Sequence, residues 1–187
     1  MIMSAKLLNE VIKALSKMPN KWDARKVYSD WKYTNSKHLK QTEWIGWRFQ
    51  ELCECYLKQT RMFNFSRQRY GFADFDAFAE IPWDFKAHVR QNPHGLQTHK
   101  VPGTDERATF QAIKNYGAAG FILGIGDAVF NDKDRSFQRW HDKLKGGLSK
   151  YEEERIARGA PSRLRKTAFT LQEILIIEID EGLCKKL

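Results

Sequence analysis

The chain has 187 residues, with 32 Lys and Arg against 23 Asp and Glu, a net charge of +9 and 42% hydrophobic residues. That length suits one domain spanning residues 1–187, with enough apolar material for a substantial core. No apolar run approaches the ~18 residues that a membrane-spanning helix needs, and Met1-Ile-Met-Ser-Ala-Lys-Leu-Leu lacks the layout of a signal peptide. A soluble, cytoplasmic protein with no membrane partner is therefore expected. Cys53, Cys55 and Cys184 have no metal-ligand spacing, so reduced thiols are expected rather than a disulfide or a zinc site.

Residues 1–40 read as an N-terminal helical region. Leu7, Leu8, Val11, Ile12 and Leu15 recur at helical spacing, and Ala24 to Tyr33 also suits a helix. From Thr42 to Leu57, Trp44, Trp47, Phe49, Leu52, Cys53 and Tyr56 mark an amphipathic helix. Arg61 to Arg69 alternates as a first strand would. Residues 71–79 and 82–90 read as a hairpin turning around Glu80-Ile81-Pro82. The Pro- and Gly-containing stretch 91–103 reads as a loop, and Thr104-Asp105-Glu106 starts a helix that Gly117 ends. Gly120 to Ile125 is a short apolar run of the kind found in buried parallel strands.

The order over residues 41–126 is thus α-β-β-β-α-β, which makes the chain an α/β protein. Residues 127–187 add a helix at 137–145 and a second one opened by the capping box Ser149-Lys-Tyr-Glu152 and stopped by Gly159. A final strand follows at 169–179. The glycines of Gly120-x3-Gly124-Ile-Gly126 do not form a phosphate loop, because no Gly-Lys-Ser/Thr follows them.

The hairpin carries the chemistry. Asp74, Asp76, Asp84, Lys86 and His88 all have even numbers, and residues two apart on a strand share a face. A turn centred near residue 80 places Asp76 opposite Asp84 and Asp74 opposite Lys86, with Cβ atoms about 5 Å apart. Carboxylates that close repel unless a cation lies between them, and oxygen clusters favour Mg²⁺. The chain supplies its own control in Asp30-Trp31-Lys32, a second Asp-x-Lys within a helical pattern, which reads as a solvated face.

Asp84-Phe85-Lys86, with an upstream Asp76 or Asp74, resembles the PD-(D/E)xK nuclease superfamily, to which type II restriction endonucleases belong. No Pro precedes either upstream Asp. The resemblance implies a restriction-endonuclease-like core with a mixed sheet. It also implies a Mg²⁺-dependent, sequence-specific endonuclease that cuts double-stranded DNA to 5′-phosphate and 3′-hydroxyl ends. Asp76, Asp84 and Asp74 would hold the metal, and Lys86 would orient or help deprotonate the attacking water. The family's helical Glu would be Glu51, with Glu43 and Glu54 as alternatives. A homodimer, a prokaryotic setting and a cognate DNA methyltransferase are further implications of the resemblance. A repair or junction-resolving nuclease, or a non-catalytic nucleic-acid-binding protein, is the alternative.

The charge distribution fits a polyanionic partner. The first 70 residues hold 14 basic and 6 acidic side chains, residues 71–130 hold 5 and 7, and the rest hold 13 and 10. Basic flanks could grip DNA on either side of an acidic centre. Arg163, Arg165 and Lys166, between the last helix and the last strand, are the expected DNA contacts, with His88 beside the cluster.

Overall fold

The computed structural model describes residues 3–65, 75–98, 106–161 and 164–184. These fold as a mixed five-stranded sheet with helices packed against it. In chain order the elements are α1 (Ala5–Leu15), β1 (Lys21–Asp23), α2 (Ala24–Tyr33), a 3-10 turn (Lys37–Lys40), α3 (Trp44–Lys58), β2 (Ala77–Ala79) and β3 (Ile81–Val89). Then come α4 (Glu106–Tyr116), β4 (Ala118–Val129), α5 (Ser136–Leu144), α6 (Lys150–Ala157), β5 (Ala168–Asp180) and α7 (Glu181–Cys184).

The sheet order is β1-β5-β4-β3-β2, and only the β3–β4 pair is parallel. That pair needs a crossover, which α4 supplies between the two strands. β3 is covered on both faces, as a strand inside such a layer must be. Ile81 and Trp83 are fully buried, and Phe85 is nearly so. Two glycines of β4 let the aromatic layer lie flat on the sheet. A Cβ at Gly120 would stand 2.5 Å from the Trp83 ring, and one at Gly124 would stand 2.5 Å from the Phe49 ring. Phe49 projects from α3, so the same contact that builds the core presses α3 against the sheet beside β3.

The main core joins α1, α2, α3 and the α3-facing side of the sheet through Leu7, Trp31, Trp44, Phe49, Trp83 and Phe169. Burying one such side chain contributes about 1.5–3 kcal/mol, so the hairpin is fixed by its aromatic residues rather than by its charges. A smaller cluster of Phe75, Ala112, Ala119 and Phe121 lies against α4. Among the described residues, no helix is long and apolar enough to cross a membrane.

Several expected elements differ. The strand expected at 61–69 is reduced, among the described residues, to a single bridge from Asn64 to Phe78. Arg61, at φ +57°, turns the chain away just after α3. The hairpin reverses at Glu80 alone, whose φ is +60°, and Ile81 and Pro82 already belong to β3. The last two strands run longer than their apolar runs suggest, because β4 and β5 pair along almost their whole lengths. β1 was not foreseen: three residues carry too short a period to read.

Candidate active site

Asp84, Lys86 and His88 lie on β3 and are held by the strand period. Asp84 is 1% exposed and His88 8%, while the Lys86 side chain keeps 30% of its surface in solvent. Lys86 Nζ lies 3.1 Å from Asp84 Oδ2. That oxygen is buried and accepts no hydrogen bond, so the ammonium balances its charge without satisfying its lone pairs.

Asp76 reaches the same spot from the end of β2. Its N–H donates to the Trp83 carbonyl at 2.8 Å, and its Oδ2 accepts from the Phe85 N–H at 2.9 Å. The carboxylate therefore caps a β3 backbone group that β2 no longer reaches, and it brackets Asp84 between two backbone contacts. Gln50 of α3 donates to Asp76 Oδ1. The two carboxyl groups are within hydrogen-bonding reach of one another.

Burial pushes the Asp84 carboxyl up to about 6; Lys86 opposes the rise and Asp76 adds to it. Cys53 feels the same neighbour: burial, then the Asp76 charge, pushes its thiol up. The cluster is thus short of positive charge. It holds a proton near pH 6 and has room in its electrostatics for a cation above that.

The expected residues come together in part. Asp76, Asp84 and Lys86 meet. Asp74 and Arg163 lie outside the described residues. Glu51 is not part of the cluster: its carboxylate accepts from Trp31 Nε1 at 2.8 Å and sits 3.5 Å from Arg48. One residue of helix is a 100° rotation, and the sheet-facing stripe of α3 runs through Phe49 and Cys53, which brings Gln50 to the hairpin and turns Glu51 towards α2. Glu43 pairs with Lys166, and Glu54 pairs with Lys58 at 2.5 Å.

One and two residues beyond Lys86, within about 7 Å along the strand, Ala87 and His88 enter a groove of about 1350 Å³. Lys40, Lys145, Arg155, Arg165 and Lys166 line it, against Glu43 and Glu152 as acids. Arg165 and Lys166, two of the expected DNA contacts, thus lie on the wall of this groove. His88 Nε2 is 3.0 Å from the Thr98 carbonyl, which ties the 91–98 loop to β3.

Mg²⁺ commonly takes one or two carboxylates plus substrate phosphates and keeps its remaining waters. Asp76 and the orphaned Oδ2 of Asp84 fit that demand. Among the described residues, no group of three or more His, Cys, Asp or Glu side chains is arranged to hold a metal ion. A site with this donor set would depend on water and substrate oxygens for the rest of its shell. Comparison with protein-family models, with curated proteins and with solved structures finds no match to this chain.

Proposed function

We propose that this protein is a Mg²⁺-dependent DNA endonuclease of the PD-(D/E)xK type, a type II restriction enzyme acting on double-stranded DNA. The observation that carries the reading is the buried Asp84 beside Asp76 and Lys86, next to a basic groove. The parallel β3–β4 pair with its α4 crossover, preceded by α3, supports a restriction-endonuclease-like core.

In this reading Asp76 and Asp84 hold the metal, which when bound lowers the pKa of water and neutralises charge on the phosphoryl group. Lys86, already 3.1 Å from Asp84, orients the attacking water and stabilises the developing negative charge. Gln50 keeps the Asp76 carboxylate from rotating away. Asp76 is further fixed by the Phe85 N–H, so its carboxylate is held in place before substrate arrives. Lys166, Arg165 and Lys40 hold the polyanion along the groove.

Long duplex DNA incubated with the protein in Mg²⁺, with EDTA as control, tests the proposal. Discrete products whose ends share a terminal sequence are expected. Cutting confined to branched DNA would favour a junction-resolving or repair nuclease. Salt-sensitive binding with no metal-dependent cleavage would replace the proposal with a non-catalytic nucleic-acid-binding role.

A further inference from the structure

The helix α6 forms one wall of the groove through Tyr151, Glu152 and Arg155, yet it is not held in place as a core helix is. Glu152 is its only buried side chain. The apolar residues point outward: Tyr151 is 67% exposed and Ile156 52%. Glycines flank it on both sides, Gly146 and Gly147 at φ +95° and +126° and Gly159 at φ +65°.

The contacts of Glu152 explain why α6 docks at all. Its Oε1 accepts from Gln138 Nε2 of α5 at 2.6 Å and from Arg165 Nη2 at 3.4 Å. Within the helix, Arg155 adds contacts at 3.1 and 3.2 Å. Two guanidinium groups and an amide thus converge on one carboxylate in the wall of a groove that is mostly cationic. Arg165 is poorly satisfied by this arrangement, because its long contact leaves the buried Nε with no hydrogen-bond partner. A backbone phosphate offers two non-bridging oxygens in the bidentate geometry a guanidinium prefers. Each backbone phosphate carries one negative charge, as the carboxylate does, but a duplex presents many of them in a row along the groove.

We propose that Glu152 is a built-in substitute for a phosphate, and that α6 is a latch that a nucleic-acid backbone loosens by taking Arg165 from it. The empty groove is then partly neutralised from within, with Glu43 on Lys166 acting in the same way. Entry of the polyanion exchanges these internal acids for phosphates and frees α6 to move about its flanking glycines. The nature of the occupant rests on the nuclease reading, but release of the latch does not require cleavage.

Hydrogen–deuterium exchange across residues 148–158, in EDTA, with and without a 20-base-pair duplex, tests the latch apart from catalysis. Duplex binding is expected to raise uptake in this segment. The variant Glu152→Gln should show high uptake without DNA and bind duplex at least threefold more tightly. Gln138→Ala, which removes one anchor and no groove charge, should shift both readings in the same direction by less. It also keeps the test open if Glu152→Gln fails to fold. Unchanged or lower uptake on duplex binding, or weaker binding by folded variants, would overturn the latch while leaving metal-dependent cleavage intact. Release of α6 without any cleavage in Mg²⁺ would instead support the latch and reject the nuclease.

Discussion

Asp-x-Lys occurs twice in this chain, at residues 30–32 on α2 and at residues 84–86 on β3, and the two copies live in different electrostatic worlds. On the helix, residues two apart are rotated by about 200°, so Asp30 and Lys32 diverge and both lie exposed in water. On the strand the same spacing returns to one face, and Asp84 is buried with Lys86 3.1 Å away. The strand copy also has Asp76 within hydrogen-bonding reach. A short motif therefore gains chemical meaning from the period of the element that carries it.

The widest separation between the copies is expected in catalysis. Lys86→Ala should lower duplex cleavage in Mg²⁺ by about 10²–10⁴-fold, with DNA affinity largely retained. Lys32→Ala should stay within twofold of the wild type. Equal losses in both variants, or none in either, would remove the distinction between the strand site and the helix face.

A second contrast is expected in metal binding against pH. Asp84 must lose its proton before it can hold a cation, and burial, Lys86 and Asp76 together leave its pKa at about 6. Calorimetric affinity for Mg²⁺ or Mn²⁺ should be constant above about pH 7 and fall up to about tenfold per pH unit below 6. Asp84→Asn should abolish binding, whereas Asp30→Asn should leave the whole profile unchanged. A flat profile in the wild type would mean that Asp84 is not a ligand.

How much of this was readable beforehand follows from the range of the interactions involved. Asp76, Asp84 and Lys86 were legible because a strand period and a tight turn are local, and the hairpin carries both signals. α3, α5 and α6 were legible through apolar spacing and through the Ser149 cap, whose hydroxyl does accept from Glu152 N–H. Gln50 was missed and Glu51 chosen because helix rotation about the sheet is decided by where Phe49 lands on Gly124, a contact between residues far apart in sequence. The basic groove could be suspected from charge alone. Its partial neutralisation from within could not, since Glu152 meets Arg165 only after α6 folds back against the segment before β5. Of the strand expected at Arg61–Arg69, residues 66–69 lie outside the described residues; over 61–65 alternation yields only a bridge, because it is permissive and the left-handed Arg61 redirects the chain.

The smallest expected difference between the copies is in stability, and its sign opposes the usual expectation for a buried ion pair. Asp84 has a folded pKa of about 6 against an ordinary 3.8, so the unfolded chain gives up its proton first as pH rises. Between those values the native state binds more protons, and stability falls with rising pH until Asp84 is ionised. Asn at position 84 cannot ionise and avoids that loss. Asp84→Asn should therefore be more stable than the wild type by about 2–3 kcal/mol at pH 8 without metal, and the gain should vanish below about pH 4. Asp30→Asn, on the exposed helix face, should change stability by no more than about 0.5 kcal/mol at either pH. Denaturant melts at the two pH values, with and without Mg²⁺, measure all of this. Saturating metal should stabilise only the protein that retains Asp84 and so narrow the gap. A variant less stable than the wild type at pH 8 would mean that Lys86 outweighs burial and Asp76, and that the pair needs no cation.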